Sequence, residues 1–217
     1  MKAGTGPSRH AQLELLLQRL LNDCSALSVS DESRSQVTTW LTLVDRWRRR
    51  TDLTAARSDE ELVDLMVADA ARLAIHLPRG ARVIDVGTGA GAPGLPLGLL
   101  RPDLHLTLVE PLQKRVAFLR TTLGTLGAEV AQRFSVLKTR VESVDDRFDV
   151  AVSRATLPPE EWLGCGVGLA PSGEVWLLLA KLALPEKPDW QVVVDERYTW
   201  PLTGAERRAV CVRSISA

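Results

Sequence analysis

One segment constrains this chain more than any other: Val83-Ile84-Asp85-Val86-Gly87-Thr88-Gly89-Ala90-Gly91-Ala92-Pro93-Gly94. Residues 82–86 are a short apolar run of the kind that forms a buried strand. Residues 87–94 form a glycine-rich turn, and 95–100 open a helix. A strand that passes through glycines straight into a helix is half of a βαβ unit. The downstream sequence repeats the alternation, with strands expected at 105–110, 134–137, 148–152, 174–179, 191–195 and 207–214, and helices at 112–126 and 158–168. Such alternation predicts an α/β fold with a parallel sheet.

The residues before this unit read differently. Leu13, Leu16, Leu17, Leu20 and Leu21 repeat at helical spacing within 10–26. Ser30 starts a second helix that reaches residue 50, with Val37, Trp40, Leu41, Val44 and Trp47 as its apolar stripe. Ser58-Asp59-Glu60-Glu61 is a capping box for a third helix over 60–77, ended by Pro78-Arg79-Gly80. The expected organisation is a disordered leader at 1–9, an N-terminal helical extension at 10–80, and a ligand-binding domain at 81–217.

The glycine turn is a nucleotide-binding loop in shape, because glycines admit a close ligand and the helix N-terminus offers free N–H groups. Glu110, at the end of the next strand and 19 residues after Gly91, can accept both ribose hydroxyls of an adenosine. Gly87, Gly89 and Ala92 also satisfy the loose dinucleotide fingerprint G-x-G-x-x-G/A. Asp85, two positions before the first glycine, favours S-adenosylmethionine: a carboxylate there repels a pyrophosphate but can hold the cationic methionine end. No P-loop Lys-Ser/Thr is present. The Asp/Asn-Pro-Pro-aromatic motif of exocyclic-amine methylation is missing after the fourth strand, where Ser153-Arg154-Ala155 stands. Cys165 lies between glycines and reads as a small packing residue rather than a nucleophile. No His/Asp/Cys cluster has metal spacing, so no metal is expected. An acceptor atom with its own free lone pair, such as guanine N7, fits these absences, because alignment alone then suffices.

These residues resemble the RsmG/GidB methyltransferases. The resemblance lies in Asp85 to Leu97, Arg101-Pro102, Glu110, Lys114-Arg115-Val116, Phe118-Leu119, Arg140-Val141-Glu142 and Val152-Ser153-Arg154-Ala155. It extends upstream to Trp47 and Asp52-Leu53-Thr54, and downstream to Gly204, Arg207 and Arg213, covering about residues 40–214. It implies a Rossmann-like, S-adenosylmethionine-dependent methyltransferase fold acting on guanine N7 of 16S ribosomal RNA. It further implies cofactor contacts at Gly87, Gly89, Gly91, Ala92, Glu110, Val141 and Glu142, and a catalytic position for Arg154 beside cofactor and acceptor. The chain departs from the family pattern at Ala92 (usually bulky), Asp52 (usually Asn), Leu65-Met66 (usually Arg-His) and Leu179-Ala180-Lys181 (usually Lys-Gly near the strand end). The cofactor half is kept and the RNA half is eroded. A methyltransferase of the same fold with a small-molecule or protein acceptor, or a cofactor-binding protein with weakened catalysis, is therefore the alternative.

Charge bears on that choice. Lys+Arg and Asp+Glu both total 27, which excludes a protein held to polyanions by global charge alone. A local patch remains open, since charge acts over about 10 Å in physiological salt. Arg46, Arg49 and Arg50 can share one helix face with Trp47 turned to the core, and they are the expected RNA-phosphate contacts, with Arg207. Arg208 and Arg213 could serve RNA or ion pairs equally. Three scattered Cys form no disulfide framework, and the expected setting is a cytoplasmic monomer, off the membrane, acting on 16S rRNA or the small ribosomal subunit.

Overall fold

The computed structural model describes residues 7–180 and 189–215. Helix α1 (Arg9–Asp23) begins one residue earlier than the leucine repeat predicts and stops three residues earlier. Ser8 is the reason for the early start: its hydroxyl accepts the Ala11 N–H at 3.2 Å. Arg9 is not part of a disordered leader. It forks onto Asp45 with two bonds of 2.9 Å and also pairs with Asp59, tying the chain start to the second and third helices. Helix α2 (Asp31–Trp47) is capped by Ser30, which accepts the Ser33 N–H at 3.1 Å, and it ends before the arginine run rather than through it.

The expected capping box is present at 58–61. Ser58 accepts the Glu61 N–H at 3.0 Å, and the Glu61 carboxylate reaches back to the Arg57 N–H at 2.7 Å. The third helix is not uniform, however. It runs as α3 (Asp59–Val63), a π-helical turn (Asp64–Ala68) and α4 (Asp69–Ala74). Two buried carboxylates sit at the two ends of the wide turn. Asp64 accepts the Leu202 N–H, the Thr203 N–H and the Thr203 hydroxyl, while Asp69 faces Arg154, Tyr198 and Trp200.

Beyond residue 80 the order is β1 (Arg82–Val86), α5 (Gly94–Leu100), β2 (His105–Val109), α6 (Gln113–Leu126), α7 (Ala128–Ala131), β3 (Phe134–Leu137), a 3₁₀ turn (Val141–Ser143), β4 (Val150–Arg154), α8 (Pro159–Leu169), β5 (Glu174–Leu179), β6 (Trp190–Thr199) and β7 (Glu206–Ser214). These form one seven-stranded sheet in the order β3-β2-β1-β4-β5-β7-β6. The expected parallel pairing holds for β1 to β5. It fails for the last two strands, since β7 runs antiparallel to both β5 and β6. Residues 200–205 are too few for a crossover, which needs a dozen or more, so they close a hairpin instead.

Each face of the sheet is covered. On one face α1 to α6 share a single core in which Leu13, Leu17, Trp40, Leu41, Leu62, Val67, Leu95 and Phe118 are buried with Val83 and Leu108 of the strands. On the other, α8 packs Trp162 and Leu163 against Ile84, Ala151, Val175 and Leu177. Each such Leu removed from water contributes about 1.5–3 kcal/mol. The helical segment thus shares its core with the sheet rather than building one of its own. Among the described residues no helix is long and apolar enough to cross a membrane.

Candidate active site

The site is built outward from the end of β1. Gly87, Gly89 and Gly91 all have positive φ (73°, 62° and 109°), the left-handed region that glycine enters without penalty. Space enforces glycine at two of them. A Cβ on Gly87 would lie 2.2 Å from the Thr156 hydroxyl, and one on Gly91 would lie 2.9 Å from Leu95 Cβ. Asp85 braces the turn from beneath. Its Oδ2 accepts the Thr88 hydroxyl at 2.6 Å and the Gly94 N–H at 2.8 Å. Its Oδ1 is buried with no hydrogen-bond partner. Burial pushes the Asp85 carboxyl up to about 6, against the pull of the Thr88 and Gly94 bonds and of the Arg154 charge. From the helical face, the buried Trp40 indole donates to the Ala90 carbonyl at 3.1 Å, so α2 pins the loop. Ala92 is buried beside it.

Glu110 follows β2 immediately and is almost fully buried. One carboxylate oxygen accepts the Leu112 N–H at 2.9 Å, and the other accepts the Gly89 N–H at 3.0 Å with Arg115 3.9 Å away. Glu110 therefore touches the glycine loop directly, a link that strand and spacing arguments do not give. Beside this pair opens a cavity of about 190 Å³ lined by Val86, Gly87, Val109, Pro111, Val141, Glu142, Thr156 and Leu157. Gly87, Val141 and Glu142 thus come together around one slot, and the 3₁₀ turn is what carries the last two.

Arg154 ends β4 rather than following it, because that strand is 150–154, not 148–152. Its Nη1 donates to the Leu65 carbonyl of the π turn and, at 3.1 Å, to Asp69. Next along, Ala155 holds φ 52°, a left-handed conformation unusual outside glycine. Past it lies a second apolar cavity of about 220 Å³, lined by Ser153, Ala155, Leu157, Pro159, Trp162 and Leu177 to Ala180. Both cavities lie at the carboxyl ends of the parallel strands, where open α/β sheets bind ligands. A wider hollow of about 700 Å³, lined by Arg79, Arg82, Arg147 and Arg213 among others, lies at the opposite end of the strands.

The basic residues divide by geometry. Arg46, Arg49 and Arg50 are exposed and have no acidic partner among the described residues, while Arg48 turns inward to Asp45 and the Ala56 carbonyl. Trp47 packs edge-on against Phe118 as expected. Arg207 stacks 3.6 Å above the Trp200 ring. Arg208 and Arg213 resolve as ion pairs with Asp195 and Glu174. Lys181 lies outside the described residues. Among the described residues no group of three or more His, Cys, Asp or Glu is placed to hold a metal. Asp69, Tyr198 and Trp200 were not singled out from the sequence. One signal was there: Asp69 falls on the helical stripe of Leu62, Met66 and Leu73, where a charge has no business unless it is paired.

The family model described as rRNA small subunit methyltransferase G (GidB) matches residues 33–186. The Ribosomal RNA small subunit methyltransferase G of Enterobacter sp. is 37% identical over 141 residues, 64% of this chain and 66% of that protein, so the match spans just under two thirds of the relative. The Escherichia fergusonii protein of the same name is 33% identical over 169 residues, 76% of this chain and 79% of its own. Among solved structures, the glycopeptide N-methyltransferase MtfA complexed with S-adenosylmethionine superposes with a TM-score of 0.55 at 15% identity, covering 67% of this chain and 92% of that one. TrmN from Thermus thermophilus gives 0.53 at 19% identity, with 71% and 48% covered. These two likenesses show the fold, a Rossmann-like α/β methyltransferase architecture. The family match runs from α2 past β5 and takes in the glycine loop, Glu110 and Arg154; the chain belongs to the rRNA small subunit methyltransferase G (GidB) family.

Proposed function

We propose that this protein transfers a methyl group from S-adenosylmethionine to N7 of a guanine in 16S ribosomal RNA. The observation that carries the reading is Asp85: a fully buried carboxylate beneath a glycine loop, with one oxygen committed to the loop and the other without a donor. A buried acceptor without a partner is costly, and the ammonium group of a bound methionine moiety would satisfy it. Gly87, Gly89, Gly91 and Ala92 offer backbone to the same moiety. The slot lined by Val109, Val141 and Glu142 suits a flat adenine ring, and Glu110 can exchange its Gly89 N–H bond for ribose hydroxyls.

When bound, S-adenosylmethionine supplies a methyl carbon made electrophilic by its sulfonium. Asp85, the glycine loop and Glu110 would hold it and offer that carbon to an N7 acceptor, which would take it on its own lone pair while the C–S electron pair stays with sulfur. No proton moves, so no base is required of the chain. What the residues must do is orient the acceptor in line and exclude water. We assign the orienting of the acceptor to Arg154, whose place at the end of β4 supports that role. Arg46, Arg49 and Arg50 on one edge and the stacked Arg207 on another supply phosphate contacts that position without reading sequence. In this reading the protein acts as a cytoplasmic monomer on 16S rRNA or the small subunit.

The test is a methyl-transfer assay with purified protein, labelled S-adenosylmethionine and 16S rRNA lacking its native methylation, free or within the small subunit. Label recovered as 7-methylguanosine at one site supports the reading. Label on another atom, or on a small molecule or protein in a salt-insensitive reaction, replaces it with the alternative acceptor; tight cofactor binding without turnover on any RNA replaces it with a binding role.

A further inference from the structure

Asp69 is 2% exposed and takes three hydrogen bonds. Tyr198 Oη and Trp200 Nε1 each donate to its Oδ1 at 2.7 Å, and Arg154 Nη1 donates to its Oδ2 at 3.1 Å. The same Nη1 donates to the Leu65 carbonyl in the π turn. Three separate parts of the chain therefore meet at one ion pair: the third helix, the end of β4, and the C-terminal hairpin. From this we infer that Asp69 is a positioning residue for methyl transfer, fixed by Tyr198 and Trp200 so that it holds Arg154 in one orientation at the ligand end of β4.

Three observations carry the inference. First, the two neutral donors on Oδ1 fix the carboxylate about its own axis, so that Oδ2 can face only Arg154. Tyr198 stays a donor throughout, because burial and the neighbouring Asp69 charge raise its phenol far above its usual range. Second, the anchoring uses only Nη1. The Arg154 Nε and Nη2 have no bond among the described residues and the side chain is 18% exposed, so three N–H donors on two nitrogens remain for a ligand. Third, β4 pairs in parallel with β1, with Ser153 opposite Val86, so Arg154 ends its strand level with the start of the glycine loop. A buried ion pair of this kind is weak as a device for stability, since apolar residues of the same volume often do as well. Its value here lies in geometry and charge. Methyl transfer moves one unit of positive charge from sulfur to the purine. An unpaired arginine would oppose that movement, and one neutralised by Asp69 offers its remaining hydrogen bonds without doing so.

The inference rests on the proposed methyl transfer, and the test separates the two. Steady-state kinetics compare the wild type, D69N, R154A and the double variant. D69N is expected to lower kcat about 10²-fold, the usual cost of a small misplacement, with KM for S-adenosylmethionine unchanged. Added to R154A, D69N is expected to cost nothing further, because its effect passes through Arg154. Losses that multiply overturn the inference. A second readout needs no acceptor: ¹⁵N-arginine NMR of the full chain, with the Arg154 signals identified by their absence in R154K. Slow guanidinium rotation is expected in the wild type and averaging in D69N; an unchanged Arg154 signal in D69N overturns the inference whatever the activity. Wild-type protein that shows the held Arg154 but methylates no RNA refutes the proposed function instead. Should D69N fail to fold, Y198F carries the same measurements with a smaller loss of kcat, and an unchanged Arg154 signal and kcat in Y198F again overturn it.

Discussion

Replacing Asp85 by Asn should make the protein more stable at neutral pH and worse at holding its cofactor. The magnitude follows from the carboxyl's position. Its pKa is raised from 3.8 to about 6 by burial, a gap of about 2 units or about 3 kcal/mol. The sign is that of an acid whose folded value exceeds its unfolded one. The favourable contribution is complete below pH 3.8, is still about 2 kcal/mol at pH 4.5, and is gone once pH has risen through 6. At pH 8 the wild type therefore carries a buried charge at full cost. In D85N the amide oxygen can take over the Thr88 and Gly94 bonds, while the NH₂ replaces the oxygen that has no partner, at a cost of about 1–3 kcal/mol. The expected difference in unfolding free energy, D85N minus wild type, rises by about 2 kcal/mol between pH 4.5 and 8 in urea titrations. Other carboxylates cancel from this difference. S-adenosylmethionine affinity, followed by calorimetry, should fall about 10- to 100-fold in D85N through loss of a charge-assisted bond. It should also lose the drop that the wild type shows below pH 6. A stability difference that is flat with pH would refute the argument, as would D85N binding with full affinity.

Other residues give independent checks. Trp40→Phe leaves the Ala90 carbonyl buried without its donor; thermal and denaturant unfolding should show a loss of about 1–3 kcal/mol, with cofactor binding weakened alongside because the glycine loop is released. Gly87→Ala places a Cβ against Thr156 at positive φ; it should cost about 2–4 kcal/mol and abolish cofactor binding in the same calorimetric assay. Replacing Arg46, Arg49 and Arg50 together by Ala should leave cofactor affinity unchanged, weaken RNA binding, and flatten the log–log salt dependence by about 2 as roughly three phosphate contacts are lost. An unchanged slope would mean that RNA docks elsewhere.

Local signals made the cofactor half of this molecule legible. Glycines at 87, 89 and 91 can be read from the sequence because the backbone itself demands them, and Glu110 because a parallel strand must end one βα unit later. The expected third helix concealed its π turn, since apolar spacing over a few residues cannot distinguish a wide turn from an α turn. The antiparallel β7 was missed because strand direction is set by connection length and not by the strand's own residues. Arg154 was recognisable by its place after a buried strand, but its partners stand 85 and 89 positions away along the chain and leave no local trace. For Arg208 and Arg213 the same distance blindness left RNA contact and ion pairing undecided until Asp195 and Glu174 appeared opposite them.

The π turn at 64–68 has a consequence for chain length. In an α-helix residues five apart point about 140° away from each other, whereas i to i+5 bonding stacks them one above the other. Asp64 and Asp69 are five apart, and both serve the β6–β7 hairpin, one at residues 202–203 and the other at Tyr198 and Trp200. The hairpin is thus indexed to a helix one residue longer than regular coiling requires. Winding residues 64–68 as a regular α-helix without shortening the chain would swing one carboxylate about 140° off the hairpin, whereas deleting one of residues 65–68 leaves Asp64 and Asp69 four apart and back on one face, so the shortened helix should keep its far-ultraviolet ellipticity and its hold on the hairpin. In this protein a more regular helix of the same length would be the damaged one.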